Sequence, residues 1–197
     1  MCINVNASSC YTDCMKTEFF SKIIYRCRQV QRAWRPRFSP AELAWVDAFL
    51  TPEERTVFLE MAPADRRHAL DVARLCRQAV GEQFTEPLTA EEEQLLLKAA
   101  LLHDMGKRNG DIGLFHRILY VLLAARLGKY KGFHSWPLVG KPLAVLADHA
   151  SLGAQEATRR RWTPALVALI RCHHSGGCDS CDKSRLFSLL QQADNRC

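Results

Sequence analysis

Five short segments of the chain carry side chains suited to holding a metal ion: His68, the pair His103-Asp104, His149, the pair His173-His174, and Asp194. Neutral imidazoles combined with carboxylates can bind one or two divalent ions, and such ions turn water into a nucleophile near neutral pH. Taken singly, each segment has a plain structural reading. A histidine on an apolar helix face is commonly a hydrogen-bonded core residue, and His103-Asp104 ahead of Gly106 could be a helix end with an exposed carboxylate. Their shared placement argues otherwise. His68 stands one turn before Val72 on the stripe Ala69, Val72, Ala73, Cys76 and Val80, and His103-Asp104 end the apolar run Leu95 to Leu102. His149 ends Leu143 to Asp148, His173-His174 end Leu166 to Ile170, and Asp194 closes Leu186 to Ala193. An ionised aspartate beside a buried helix is costly without a partner. One polyhistidine-carboxylate site accounts for all five placements at once.

The elements that must position these groups are helical. Ser39-Pro40 and Thr51-Pro52 are N-caps followed by proline at the first helical position, opening helices to Leu50 and Met61. Helical spacing runs from Asp65 to Phe84. Thr89-Ala90-Glu91-Glu92 is a capping box that starts a helix through Leu102, with Gly106 as its stop signal. The run Leu95 to Leu102 is apolar nearly all round except Lys98, as a central buried helix should be. A helix over Leu114 to Leu127 is expected to belong to the core and to lead into a lid loop. With Lys129, Lys131 and Trp136 it also fits a membrane-facing insert. Leu143 to His149 is expected to form one helix and Ser151 to cap a separate short one. Thr163-Pro164 opens a helix to His173, and Ser184 caps the last, through Asp194. No repeat or period-two strand pattern emerges. The fold class is all-α: a compact helical bundle in residues 63–197, preceded by a basic N-terminal arm and helical prefix in residues 1–62, with no Gly/Ser linker between them.

Composition narrows the class. The 197 residues, 48% apolar and 24% charged, suit one globular unit. No stretch approaches the roughly 20 apolar residues needed to span a bilayer, and Met1 to Cys14 lacks the apolar core of an export signal. A cytoplasmic location is therefore expected. Of the net charge of +6, about +5 falls between Met1 and Ser39. That arm is a solvated helix face or a weak contact for anionic membrane or nucleic acid. Nine cysteines without an export signal do not suggest a disulfide framework. Cys178-x-x-Cys181 near Cys172 resembles half of a zinc loop, but free thiols are the simpler expectation.

His68, the run Leu101-Leu102-His103-Asp104-Met105-Gly106-Lys107 and the distant Ala193-Asp194 resemble the HD-domain superfamily of metal-dependent phosphohydrolases, over roughly Asp65 to Asn195. The resemblance implies an all-helical bundle. His149 and His173 look like the added ligands of its dinuclear branch. It further implies that Asp104 bridges two ions, that His68, His103 and Asp194 serve one, and that His149 and His173 serve the other. His174 is an additional ligand or a substrate contact, and Lys107 neutralises a phosphate or simply answers the helix dipole. The implied reaction is in-line attack on phosphorus by a metal-bridging hydroxide. Histidine-rich ligation favours iron or manganese, with cobalt, nickel or zinc possible, over magnesium or calcium.

The substrate implied is a phosphorylated small molecule. Family members that cleave cyclic dinucleotides carry Gly-Tyr-Pro after the double histidine, where this chain has Ser175-Gly176-Gly177. Small bacterial members that hydrolyse diadenosine polyphosphates share the order seen here, so a nucleotide or dinucleotide polyphosphate is the first expectation. The chain departs from them in its basic prefix and in the insert from Arg108 to Pro142. Two alternatives stand beside hydrolysis: a di-iron oxygenase on the same scaffold, and a non-catalytic metal-binding regulatory module working through the basic arm.

Overall fold

The computed structural model describes residues 38–82, 87–110, 112–127, 136–174 and 184–197. Among these residues it contains eight α-helices, one 3-10 helix and no strand. The basic arm, the lysines Lys129 and Lys131, and the pair Cys178 and Cys181 lie outside them.

The chain enters through two short, strongly capped helices, α1 (Pro40–Asp47) and α2 (Pro52–Glu60). Each begins with proline and carries a reciprocal capping box, Ser39 with Glu42 and Thr51 with Glu54. Glu54 is buried and also sits 2.9 Å from Lys98 Nζ, so the cap of α2 doubles as its tie to the next layer. Val46, Leu50, Val57, Phe58 and Met61 belong to the same apolar cluster as the later helices, so the prefix from Phe38 onward shares their core.

Helix α3 (Pro63–Glu82) packs on α4 (Ala90–Leu102), whose residues Leu96, Leu97 and Ala99 to Leu102 are fully buried. A helix apolar on every side must be surrounded. Here α2, α3, α7 (Pro164–Cys172) and α8 (Ser184–Arg196) all contact α4. The expected stop at Gly106 is instead a tightening of the chain into a 3-10 helix, Met105–Gly110. Gly106 is obligatory there because a Cβ at this position would lie 2.0 Å from the His149 carbonyl oxygen and 2.7 Å from the Gly153 amide nitrogen. The absence of a side chain lets the turn rest directly on the backbone of α6.

Two expectations need correction. Helix α6 is continuous from Gly140 to Arg159, and Ser151 lies inside it rather than capping a second helix. Ser151 is exposed and accepts a hydrogen bond from the Gln155 side chain, so nothing competes with the helical backbone there. Helix α5 (Leu114–Leu127) is not an ordinary core helix, because Phe115, Ile118 and Leu122 on it are exposed. Among the described residues no helix is long and apolar enough to cross a membrane.

Candidate metal centre

Asp104 is the hub. Its carboxylate is 1% exposed and is approached from four directions. His149 Nε2 lies 3.3 Å and His173 Nε2 4.0 Å from Oδ1, while His103 Nε2 lies 3.6 Å and His68 Nε2 3.9 Å from Oδ2. Asp194 closes the far side: Oδ1 accepts a hydrogen bond from His68 Nε2 at 2.9 Å and stands 3.6 Å from His103 Nε2. The His174 ring is half exposed, with Nε2 3.0 Å from His149 Nε2 and Nδ1 3.7 Å from Asp194 Oδ2. Two sets of donor atoms, each gathered within 4.8 Å, thus share Asp104: one with His68 and His103, the other with His149, His173 and His174.

Helix ends explain how the rings are aimed. His103 is the C-cap of α4 and His173 the C-cap of α7, so two helix C-termini bring partial negative charge to the centre. His103, His149 and His173 each donate Nδ1–H to the carbonyl three residues back, Ala100, Leu146 and Ile170, at 2.8, 2.8 and 2.7 Å. That bond fixes the tautomer and leaves each Nε2 as the inward donor of a lone pair, as metal-binding histidines require.

Such an arrangement is electrostatically suited to a cation. His149 and His173 face each other through Nε2 atoms 3.3 Å apart, two lone pairs directed at one another and at a carboxylate oxygen. His103 Nε2 and Asp104 Oδ1 are buried and have no hydrogen-bond partner. Buried polar atoms without partners are rare and costly. The donor set of imidazoles and carboxylates therefore fits a metal ion, and the cluster could hold one.

The titration behaviour of the groups follows the same logic. Burial, the largest influence on His103, opposes its charged form, but Asp104 and Asp194 outweigh it and raise its pKa to about 9. Burial likewise opposes ionisation of Asp104, yet Lys107, His103 and His149 hold it well below the usual carboxylate range. Asp194 is held low in the same way by His103 and His68. Burial and the surrounding histidines depress His173, and burial with His149 takes His174 down to about 4. Lys107 Nζ donates to Asp104 Oδ2 at 2.6 Å, so the lysine after the His-Asp pair touches the hub itself.

The structure thus brings together His68, His103, Asp104, Lys107, His149, His173, His174 and Asp194, all the residues singled out from the sequence. It adds one pair that sequence reasoning missed. Buried Asp65 receives Arg117 bidentately, with both N–H···O contacts at 2.7 Å, joining α5 to α3 one turn before His68. Asp65's place one turn from a candidate ligand was the only available signal. Cys172, beside His173, is disulfide-bonded, which corrects the expectation of a free thiol at that position; Cys76 is a buried free thiol.

Compared with known proteins, the chain matches no family model, no curated protein and no solved structure.

Proposed function

We propose that this chain is a metal-dependent phosphohydrolase of the HD-domain type, holding two divalent transition ions and acting on a nucleotide or dinucleotide polyphosphate. The observation that carries this reading is the pair of donor sets meeting at one buried carboxylate, Asp104, with inward lone pairs otherwise unmatched. Two such ions would lower the pKa of water and neutralise charge developing on phosphoryl oxygens. The imidazole-rich donor set favours iron or manganese and admits cobalt, nickel or zinc.

Each residue then has a distinct task. Asp104 spans the two halves. His68, His103 and Asp194 complete one, and His149 and His173 the other. His174, on the exposed side, is a further ligand or a contact for substrate. Lys107 supplies an ammonium beside the hub, where a phosphoryl oxygen would need countercharge. A cationic side chain there supports an anionic substrate, and so do Arg108 and Arg117 nearby.

The test is metal content per chain after anaerobic purification, together with phosphate release across a nucleotide panel that includes diadenosine tetraphosphate. About two transition ions and turnover of one substrate class are expected. Metal without hydrolysis, accompanied by a mixed-valent iron signal, would move the chain to the oxygenases. Metal-free protein with no turnover would leave a binding module.

A further inference from the structure

Beside the histidine-carboxylate cluster lies a cavity of about 340 Å³ whose wall includes Glu60, Lys107, Arg108, Ile112, Gly113 and Arg117. Lys107 belongs to both places, because the ammonium that lines the cavity also touches Asp104. Each cation has an acid partner, Asp104 for Lys107, Glu60 and Glu156 for Arg108, and Asp65 for Arg117, and of these acids Glu60 lines the cavity. The volume is at the small end of ligand pockets, which run to about 300–1,000 Å³.

The cations are held in position without being used up. Arg117 gives one N–H from each terminal nitrogen to buried Asp65, which fixes the guanidinium plane and leaves three of its five N–H groups. Arg108 is anchored on the inner side by Glu156 at 2.8 Å and on the outer side by Glu60 at 2.7 Å. Glu60 is half exposed, and an ion pair of that kind is worth little in water. An incoming phosphate can therefore take its place. Fixed guanidinium groups are well matched to phosphate oxygens, since they donate in a planar fork and lose little rotamer freedom on binding.

We infer that this cavity is the subsite for a second phosphoryl group, the neighbour of the one held at the histidine-carboxylate cluster, and that the substrate class is accordingly a phosphoanhydride rather than a lone phosphomonoester. The inference rests on the phosphohydrolase reading for the identity of the first phosphate, but the subsite stands on its own residues. Arg108 and Arg117 are specificity-determining: they grip the part of the substrate that a monoester lacks.

The probes are pyrophosphate and orthophosphate, titrated calorimetrically into full-length chain loaded with manganese and freed of excess ion by desalting. Wild type should bind pyrophosphate at least tenfold more tightly than orthophosphate. Arg108→Met should cut that preference at least fivefold with metal per chain unchanged, and Glu60→Gln should strengthen pyrophosphate binding. Removing Arg117 alone would strand the buried Asp65, so the matched pair Asp65→Asn with Arg117→Gln tests that residue, with folding checked by thermal melting. Equal binding of the two anions by wild type, or a preference untouched in both the Arg108 and the paired variants, would overturn the subsite. A chain that takes up no manganese but keeps the preference would sink the phosphohydrolase reading and leave the subsite standing.

Discussion

His103 sits between two carboxylates, and in the absence of a metal a proton is the cation it can share with them. Its ordinary pKa of 6.5 is raised to about 9 in the folded chain, because Asp104 and Asp194 overcome the opposing effect of burial. A group whose pKa rises on folding contributes stability that is full below about 6.5 and is lost as pH climbs through the folded value. Chelator-treated protein should therefore lose melting temperature between pH 6.5 and 9, and His103→Gln should flatten that slope. Asp104 and Asp194 act at the other end. Both are held below their ordinary value of 3.8, so their contribution is present above that pH and declines as the solution is acidified further. Asp104→Ala is expected to abolish metal binding and turnover together, because it removes the one carboxylate common to both donor sets. Retained metal in that variant, measured by elemental analysis, would contradict the hub assignment. These candidate ligands were legible in the sequence because each lies on or ends an apolar helical stretch, where a charged group is conspicuous. Asp65 and Arg117 were not, since they are 52 positions apart and no local pattern links a helix's first turn to an arginine on α5.

Among the elements, the seam between the 3-10 turn and α6 governs how well the two donor sets are registered. Gly106 rests against the backbone at His149, and Gly153 on the facing helix would bring its own Cβ to 3.3 Å from the Gly106 nitrogen. Gly106→Ala should force the two backbones apart at the level of His149, a candidate ligand. The expected cost is at the upper end of overpacking penalties, about 3 kcal/mol, with weakened metal affinity in calorimetry. A fully stable variant with native affinity would mean the seam yields elsewhere. Helix starts were readable because proline and capping chemistry are local signals, as at Thr51-Pro52 and Thr163-Pro164. The continuity of α6 was not, since an exposed serine such as Ser151 looks the same in a helix interior as at a cap. Nor could an apolar run say which of its faces finds a partner, which is how α5 comes to expose Phe115, Ile118 and Leu122.

At the scale of the whole molecule, a ligand that binds only the folded chain stabilises it by mass action. An ion present at a thousand times its dissociation constant contributes about 4 kcal/mol. Removing it with a chelator should lower the melting temperature by several degrees, and adding manganese or iron should restore it. No change on chelation would mean that the cluster holds its fold without an ion. His68 and Asp194 meet across 126 positions of sequence, so the cluster ties the two ends of the bundle together. Consider a single cut in the backbone between His103 and His149. One fragment would keep His68, His103 and Asp104, and the other His149, His173 and Asp194. Neither would hold both sets of donors, yet α8 on the second fragment packs against α3 on the first. The chain should thus behave as two complementing halves that stay together on a sizing column in metal-containing buffer and separate more readily in chelator.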